Sequence, residues 1–538
     1  MQGPHPVAPP LVALTKRAMG GMRSVGGRLA CLFGIVAALG ACAVGPDFTR
    51  PEAPVPGSWQ NAGDPRVSTQ AAADSRWWKA FEDTSLDRLV ELAYHQNLPL
   101  QVAGLRIVEA RAQLGIASGM QYPQMQVAFG NANAVGLSEN IAKIGGLPRN
   151  YFGYQVGLDA AWELDFWGKY KRGVQAEAAE MLATIADYYS AIVSLSAEIA
   201  RTYVMIRTFE VLIDQANENV ALQEKALEIA ESRFRNGATS ELDPTQAATL
   251  LESTRATIPR RQTALQQARN ALSTLLGQSP DTIEPLLVGP KAIPKAPVTV
   301  AIDVPAAILR RRPDIRSAEL YAAAQCARIG VAKADLYPSF SLAGTIGLDA
   351  STRGTASANL FSSGSMFYLA GPRINWAFLN YGRITNAVRV QDARFQQLLV
   401  GYRNTVLKAA QEVDDALVGF LNAQAAAAFE QNAVTSAQRS VELAISGYRE
   451  GAVDYQRVLD AQRSLLQQQN DLTESSSSIA TSLIALYKAL GGGWELRQND
   501  PVVPERTQNE MKERTDWDDM LGPSRPQEPK KNAAPAKH

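Results

Sequence analysis

Side chains able to do bond-making chemistry are few and scattered in this 538-residue chain. It has three histidines, His5, His95 and His538, and three cysteines, Cys31, Cys42 and Cys326. A Ser-His-Asp or Cys-His apparatus would have to rest on His95 alone. A zinc centre lacks ligands at the required spacing, and the ten methionines show no clustered ligand spacing for copper. Cys326, set among alanines, reads as a small buried hydrophobe, and Trp77, Trp78 and Phe81 read as core. Lys+Arg and Asp+Glu both number 53, so the net charge is zero, without the basic stripe of a nucleic-acid binder. The expectation is a protein that is not an enzyme, has no metal or cofactor, and binds no nucleic acid. A hydrophobic content of 46% is that of a folded protein.

Cys42 is the cysteine with a chemical assignment. Lys16, Arg17, Arg23 and Arg28 precede an uncharged run from Leu29 to Gly45, too short for a spanning helix of about 20 residues but right for a secretory signal. The run ends in Leu39-Gly40-Ala41-Cys42, which resembles the bacterial lipobox. Residues 1–41 are then a signal peptide, started at Met1, Met19 or Met22, and Cys42 carries a diacylglycerol and an N-acyl chain. Each buried CH₂ contributes about 0.8 kcal/mol, so several chains anchor firmly. Position 43 is Ala rather than the Asp that retains similar lipoproteins at the inner membrane, which points to the outer one.

The elements that carry these positions are written twice. Leu114-Gly115, Tyr122-Pro123, Trp162, Gly168-Lys169, Arg235-Asn236-Gly237-Ala238 and Leu276-Gly277 recur as Ile329-Gly330, Tyr337-Pro338, Trp376, Gly382-Arg383, Arg449-Glu450-Gly451-Ala452 and Leu490-Gly491. The offset is 214 or 215 throughout, far longer than a solenoid period, so the body is a duplicated domain. Ile185, Ile192, Ile199, Ile206, Ile213, Val220 and Leu227 are seven apart without a slip, a coiled-coil pattern. No proline interrupts 168–234, which predicts a helix about 100 Å long. Gly237 stops it, and Asp243-Pro244 opens the next, with Pro259 expected to kink it. Segments of period two, 151–165 most clearly, have one apolar face over about ten residues, as transmembrane β-strands do.

The expected division is a leader over 42–75, a first repeat over 76–277, a proline-rich crossover over 278–305, a second repeat over 306–494, and a polar disordered tail over 495–538. The first repeat holds strands at 122–136 and 151–165 and helices at 168–234 and 243–276. The second holds strands at 337–348 and 366–378 and helices at 382–447 and 454–490, with Pro372 a poor fit to a central strand. The fold class is thus mainly α with membrane β. Four strands cannot close a barrel by themselves, and an open edge in lipid is costly. Two chains would supply eight strands and three would supply twelve.

Several motifs together resemble the TolC/OprM-like outer-membrane efflux proteins of the NodT-type lipoprotein branch, over about 42–494. They are Cys42-Ala43-Val44-Gly45-Pro46-Asp47-Phe48, Trp77-Trp78 with Phe81-Glu82-Asp83, Trp162-Glu163-Leu164-Asp165-Phe166-Trp167-Gly168-Lys169, Arg311-Arg312-Pro313-Asp314-Ile315, Gly371-Pro372 with Trp376 and Gly382-Arg383, and Leu459-Asp460-Ala461-Gln462. The resemblance implies a homotrimer with a 12-stranded β-barrel on a 12-helix α-barrel. It implies an exit duct in the outer membrane of a Gram-negative bacterium, fed by an inner-membrane RND-type pump through a periplasmic adaptor. It places a gate at the helix turns farthest from the strands, with Asp460 as an acidic ring, Gln456 beside it, and Tyr455 and Arg449 tying the tip to its neighbour. Arg235, Gly237, Ala238, Arg449, Gly451 and Ala452 become candidate adaptor contacts, although both glycines also suit helix C-caps. An adaptor or a structural coiled coil are the competing readings; neither needs the four strands or the duplication.

Overall fold

The computed structural model describes residues 43–52, 55–68, 76–140, 148–280, 282–302, 305–306, 311–353 and 359–523. Cys42 and the signal peptide lie outside them. The first repeat contributes α1 (Thr84–Gln96), α2 (Leu98–Gly119), β1 (Met125–Gly136), β2 (Asn150–Leu164), α3 (Lys169–Arg235) and α4 (Leu242–Leu275). The second contributes α5 (Pro313–Ala334), β3 (Ser339–Ser351), β4 (Met366–Asn375), α6 (Arg383–Glu450) and α7 (Tyr455–Ala489). Helices α3 and α6 run 67 and 68 residues, about 100 Å each. Helix α4 continues through Pro259 rather than ending there.

The shorter helices are joined end to end, one composite per repeat. At the break between α1 and α2, Asn97 accepts from Leu100 N and donates Nδ2 to Leu275 O at 2.8 Å, which fastens the last turn of α4. Arg312, 215 residues later, donates Nη1 to Ala489 O at 2.9 Å and fastens α7 to the start of α5 in the same way. Both side chains satisfy carbonyls that a helix end leaves without partners.

The four strands form one antiparallel sheet in the order β1-β2-β3-β4. Its register gives it one apolar face: Val156, Leu158, Trp162, Leu342, Ile346, Tyr368 and Ile374 share it, and all are exposed but Trp162, which is half-buried. Among the described residues no helix is long and apolar enough to cross a membrane. The exposed apolar face of the sheet is of the kind that transmembrane strands present to lipid. Met125, Val127 and Phe129 do not join that face. They pair with Ala161, Asp159 and Gly157 on the other side, where Gly157 leaves room for the Phe129 ring. Pro372 lies opposite Leu342 on β4, which is paired on one side only within the chain.

The tail expected to be disordered is structured as far as Pro523; residues 524–538 lie outside the described set. After a 3-10 turn at Trp494–Arg497 come α8 (Glu505–Lys512) and a second turn at Asp518–Leu521. Val502, Val503, Met511 and Leu521 are buried in the main core. Arg111 on α2 donates to the carbonyls of Met520, Gly522 and Pro523. The few apolar residues that do this packing are hidden in a polar composition, which is why the segment reads as unfolded.

The leader also packs. Val44 N donates to Trp167 O at 3.0 Å, at the junction of β2 and α3. Buried Arg172 donates to Val44 O and to Asp47 Oδ1, and Cys326 reaches Pro46 O. Cys326 is buried, as expected, and burial pushes its thiol pKa up. A Cβ on Gly330 would stand 2.7 Å from Val44 O, so that glycine makes the groove. The described leader therefore begins where the sheet gives way to the helices.

Candidate functional site at the hairpin tips

Two helix hairpins, α3–α4 and α6–α7, end at the same pole, the length of α3 away from the sheet. Gly237 and Gly451 take φ of +70° and +78°, and Ala238 N and Ala452 N donate back to Arg233 O and Gly447 O. These are Schellman-like stops that only glycine enters without strain. Asp454 then caps α7 through Arg457 N.

The hairpins are tied to each other inside one chain. Arg233 of the first donates Nη1 to Tyr448 O of the second, and its guanidinium lies 4.7 Å from the Tyr448 ring centroid. Tyr448 returns the contact, donating its hydroxyl to Asp243 Oδ2 at 2.8 Å; Thr239 donates to the same oxygen. Below this link sits a small apolar cluster of Ala226, Ala230, Ala247, Leu250, Tyr448, Tyr455, Val458 and Leu459. It is separate from the main core. Burial, with Asp243 nearby, pushes the Tyr448 pKa up to about 12.

Each candidate residue has a definite place. Asp460 is exposed on α7 and accepts from Gln456 Nε2 at 2.8 Å rather than pairing with Arg463. Gln456 is exposed as well. Tyr455 is not on that surface: it is buried, edge-on to Tyr448, with burial raising its pKa. The reason is helical phase, since Tyr455, Val458 and Leu459 share the buried face of the first turn. Tyr455 therefore holds its own chain's tip together rather than reaching a neighbour. Arg449 offers its carbonyl to Arg233 and leaves its side chain exposed. Arg235 is exposed beside Glu231; Gly237, Ala238, Gly451 and Ala452 form the outer turns. The link residues Arg233, Asp243 and Tyr448 were missed as a set. Asp243 reads from sequence only as a helix start, and nothing local says that Tyr448 crosses to it.

Among the described residues no cluster of His, Cys, Asp and Glu could hold a metal. What the tip can do chemically is hold two hairpins together with charge-assisted hydrogen bonds, each contributing about 1.5–3 kcal/mol. Such a contact can be made and broken.

Comparison with known proteins agrees with this architecture. The outer membrane efflux protein family matches residues 89–278 and 304–492, one match per repeat. The chain is 31% identical over 466 residues to the cation efflux system protein CusC of Escherichia coli O6:H1, covering 86% of this chain and 98% of that one. It is 32% identical over 458 residues to SilC of Salmonella typhimurium, a probable outer membrane lipoprotein, with 85% and 96% covered. Among solved structures, the outer-membrane channel OprN superposes with a TM-score of 0.78 at 30% identity, over 84% of this chain and all of that one. CusC does so with a TM-score of 0.71 at 29% identity. The family match falls once on each repeat and the superposition spans most of the chain, and this chain belongs to the outer membrane efflux protein family, as an outer-membrane efflux channel.

Proposed function

We propose that the chain is the exit duct of a tripartite efflux system. Three copies form the duct, Cys42 is acylated to hold each copy at the outer membrane, and cargo arrives from an inner-membrane RND-type pump through a periplasmic adaptor. The duct is passive and not an enzyme; its working part is a gate at the hairpin tips. The observation that carries this reading is the Arg233–Tyr448–Asp243 link across two hairpins at the pole farthest from the lipid-suited sheet. Asp460, with Gln456 beside it, faces the lumen as an acidic constriction: carboxylates brought together by symmetry repel one another and favour cations. The outer turns carrying Arg235, Gly237, Ala238, Arg449, Gly451 and Ala452 receive the adaptor.

Self-association is supported at the sheet. Among the described residues β1 and β4 each have one unpaired edge, which lipid does not tolerate. The register sums are 286 for β1–β2 and 714 for β3–β4, so the strands repeat at an offset of 214. The β2–β3 register, summing to 504, then repeats between β4 and the neighbouring copy's β1. It sets Ile374 opposite Gly130 of the partner subunit. Relatives of 30–31% identity are named for cations, pyoverdine and toluene; we infer that cargo is chosen by the pump.

The test is single-channel conductance of the full acylated protein in a planar bilayer, wild type beside Asp460→Ala. The expected wild-type signal is small and cation-selective, rising in the variant with loss of cation preference. An identical conductance and selectivity in both would remove Asp460 from the gate.

A further inference from the structure

The two ends of the chain sit at equivalent places on the two repeats. Residues Trp494–Pro523 form a strap, and its end is fixed on α2 by Arg111, which donates to the carbonyls of Met520, Gly522 and Pro523. The Met520 methyl lies beside Gly115. At the offset of 215 that relates α2 to α5, Arg111 and Gly115 correspond to Cys326 and Gly330. Those are the residues on which Pro46 and Val44 of the leader rest.

The leader groove has a further wall that the strap lacks. Helix α3 supplies it: Arg172 Cγ stands 2.9 Å from the place of a Cβ on Gly330. Arg172 donates Nη2 to Asp47 Oδ1 of the leader at 2.8 Å and Nη1 to Gln175 Oε1 at 3.0 Å. The counterpart of α3 is α6, which in the same chain packs against α5. At an offset of 214, Asn386 and Arg389 on α6 correspond to Arg172 and Gln175. Arginine and amide have exchanged places, yet the pair is kept: Arg389 donates Nη1 to Asn386 Oδ1 at 3.1 Å. Arg389 is exposed, and so are the carboxylates of Asp518 and Asp519 on the strap.

A ring pair points to the same junction. Trp167 stacks on Tyr337 with centroids 4.6 Å apart. Their counterparts, Tyr381 and Tyr122, are 97% and 69% exposed. Tyr381 also holds φ at +49°, a conformation that a bulky residue keeps only where its surroundings enforce it.

We infer that the strap is a clamp between copies. Helix α6 of a second copy closes the groove on α2. Arg389 of the partner subunit takes the Asp518 and Asp519 carboxylates as Arg172 takes Asp47, and Tyr381 of the partner subunit stacks on Tyr122. A charge pair enclosed in this way is screened less than an open one. The inference rests on the assembly proposed above and adds that the carboxyl-terminal segment joins its copies.

The experiment follows the heat-resistant oligomer of the full acylated protein on a gel. Arg389→Glu alone, or Asp518→Lys with Asp519→Lys alone, sets like charges face to face at every junction. Each should leave about a tenth of the wild-type oligomer at the wild-type dissociation temperature. Combining all three reversals should restore it; a combined variant no more resistant than the weaker one overturns the clamp. Should the reversals prevent folding, Arg389→Cys with Asp519→Cys tests the contact directly. Oxidation should join copies covalently on a denaturing gel, and neither single cysteine variant should do so. Monomer alone, from a protein that still forms the oligomer, overturns the clamp. A wild-type protein with no oligomer would count against the trimer itself, so the two readings fail separately.

Discussion

Helices α3 and α6 are products of the same repeat, nearly equal in length, yet α3 has 26 buried residues and α6 has 13. Their difference is confined to one face. Ala176, Ala186, Val193 and Val204 on α3 are 0–6% exposed. Their counterparts 214 residues later, Val390, Val400, Leu407 and Val418 on α6, are 40–56% exposed. Helix α3 packs against α5, from the other repeat. Among the described residues the matching face of helix α6 has no such cover inside the chain. In the assembly proposed above, the first repeat of the next copy would cover it, with the packing seen within the chain as the template.

The most severe way to break this comparison is a charge on the bare face. Leu407→Asp should leave the monomer folded and abolish the heat-modifiable oligomer on a gel, since a buried unpaired carboxylate is costly. Val193→Asp, its counterpart, should prevent the chain itself from folding. Equal behaviour of the two would dissolve the distinction between the faces.

At the tips the repeats differ again: Tyr448 corresponds to Phe234, which has no hydroxyl. Tyr448→Phe removes a hydrogen bond to a carboxylate, about 1.5–3 kcal/mol, so open probability in a bilayer should rise about ten- to hundredfold. Phe234→Leu should change it little. In the leader groove, a Cβ on Gly330 meets Val44 O at 2.7 Å, whereas one on its counterpart Gly115 meets only the Met520 methyl at 3.7 Å. Gly330→Ala should lower the thermal midpoint by an amount corresponding to about 1–3 kcal/mol and speed proteolysis of the leader; Gly115→Ala should do neither. The smallest effect is alkaline. With its folded pKa raised to about 12 above an unfolded value near 10, Tyr448 favours the closed tip fully below pH 10. That contribution fades as pH climbs towards 12. Conductance should creep upward across that window in wild type and stay flat in Tyr448→Phe.

Much of the frame is legible in the sequence because its signals are local and repeated. The heptads show where long helices run, and Gly237 and Gly451 show where they stop. What is not legible depends on register or on distant partners. Tyr122 and Tyr337 differ by 215 while the strands that follow repeat at 214. The face of Met125, Val127 and Phe129 is likewise set by their pairing with Ala161, Asp159 and Gly157, which puts them on the face opposite Val156 and Leu158, since strand side chains switch sides every residue. Tyr455 looks like a tip residue by position and is a core residue by phase. The Asp243–Tyr448 bond joins groups 205 positions apart, with no pattern in either neighbourhood to announce it.

The strap from Trp494 to Pro523 has a consequence for biosynthesis. Trp59 from the leader and Leu521 from the strap belong to the same apolar cluster. A chain exported from its amino end cannot complete that cluster until Leu521 has crossed the inner membrane. A chain cut short before Met511 and Leu521 lacks two side chains that close the core, so its leader packs against an unfinished surface.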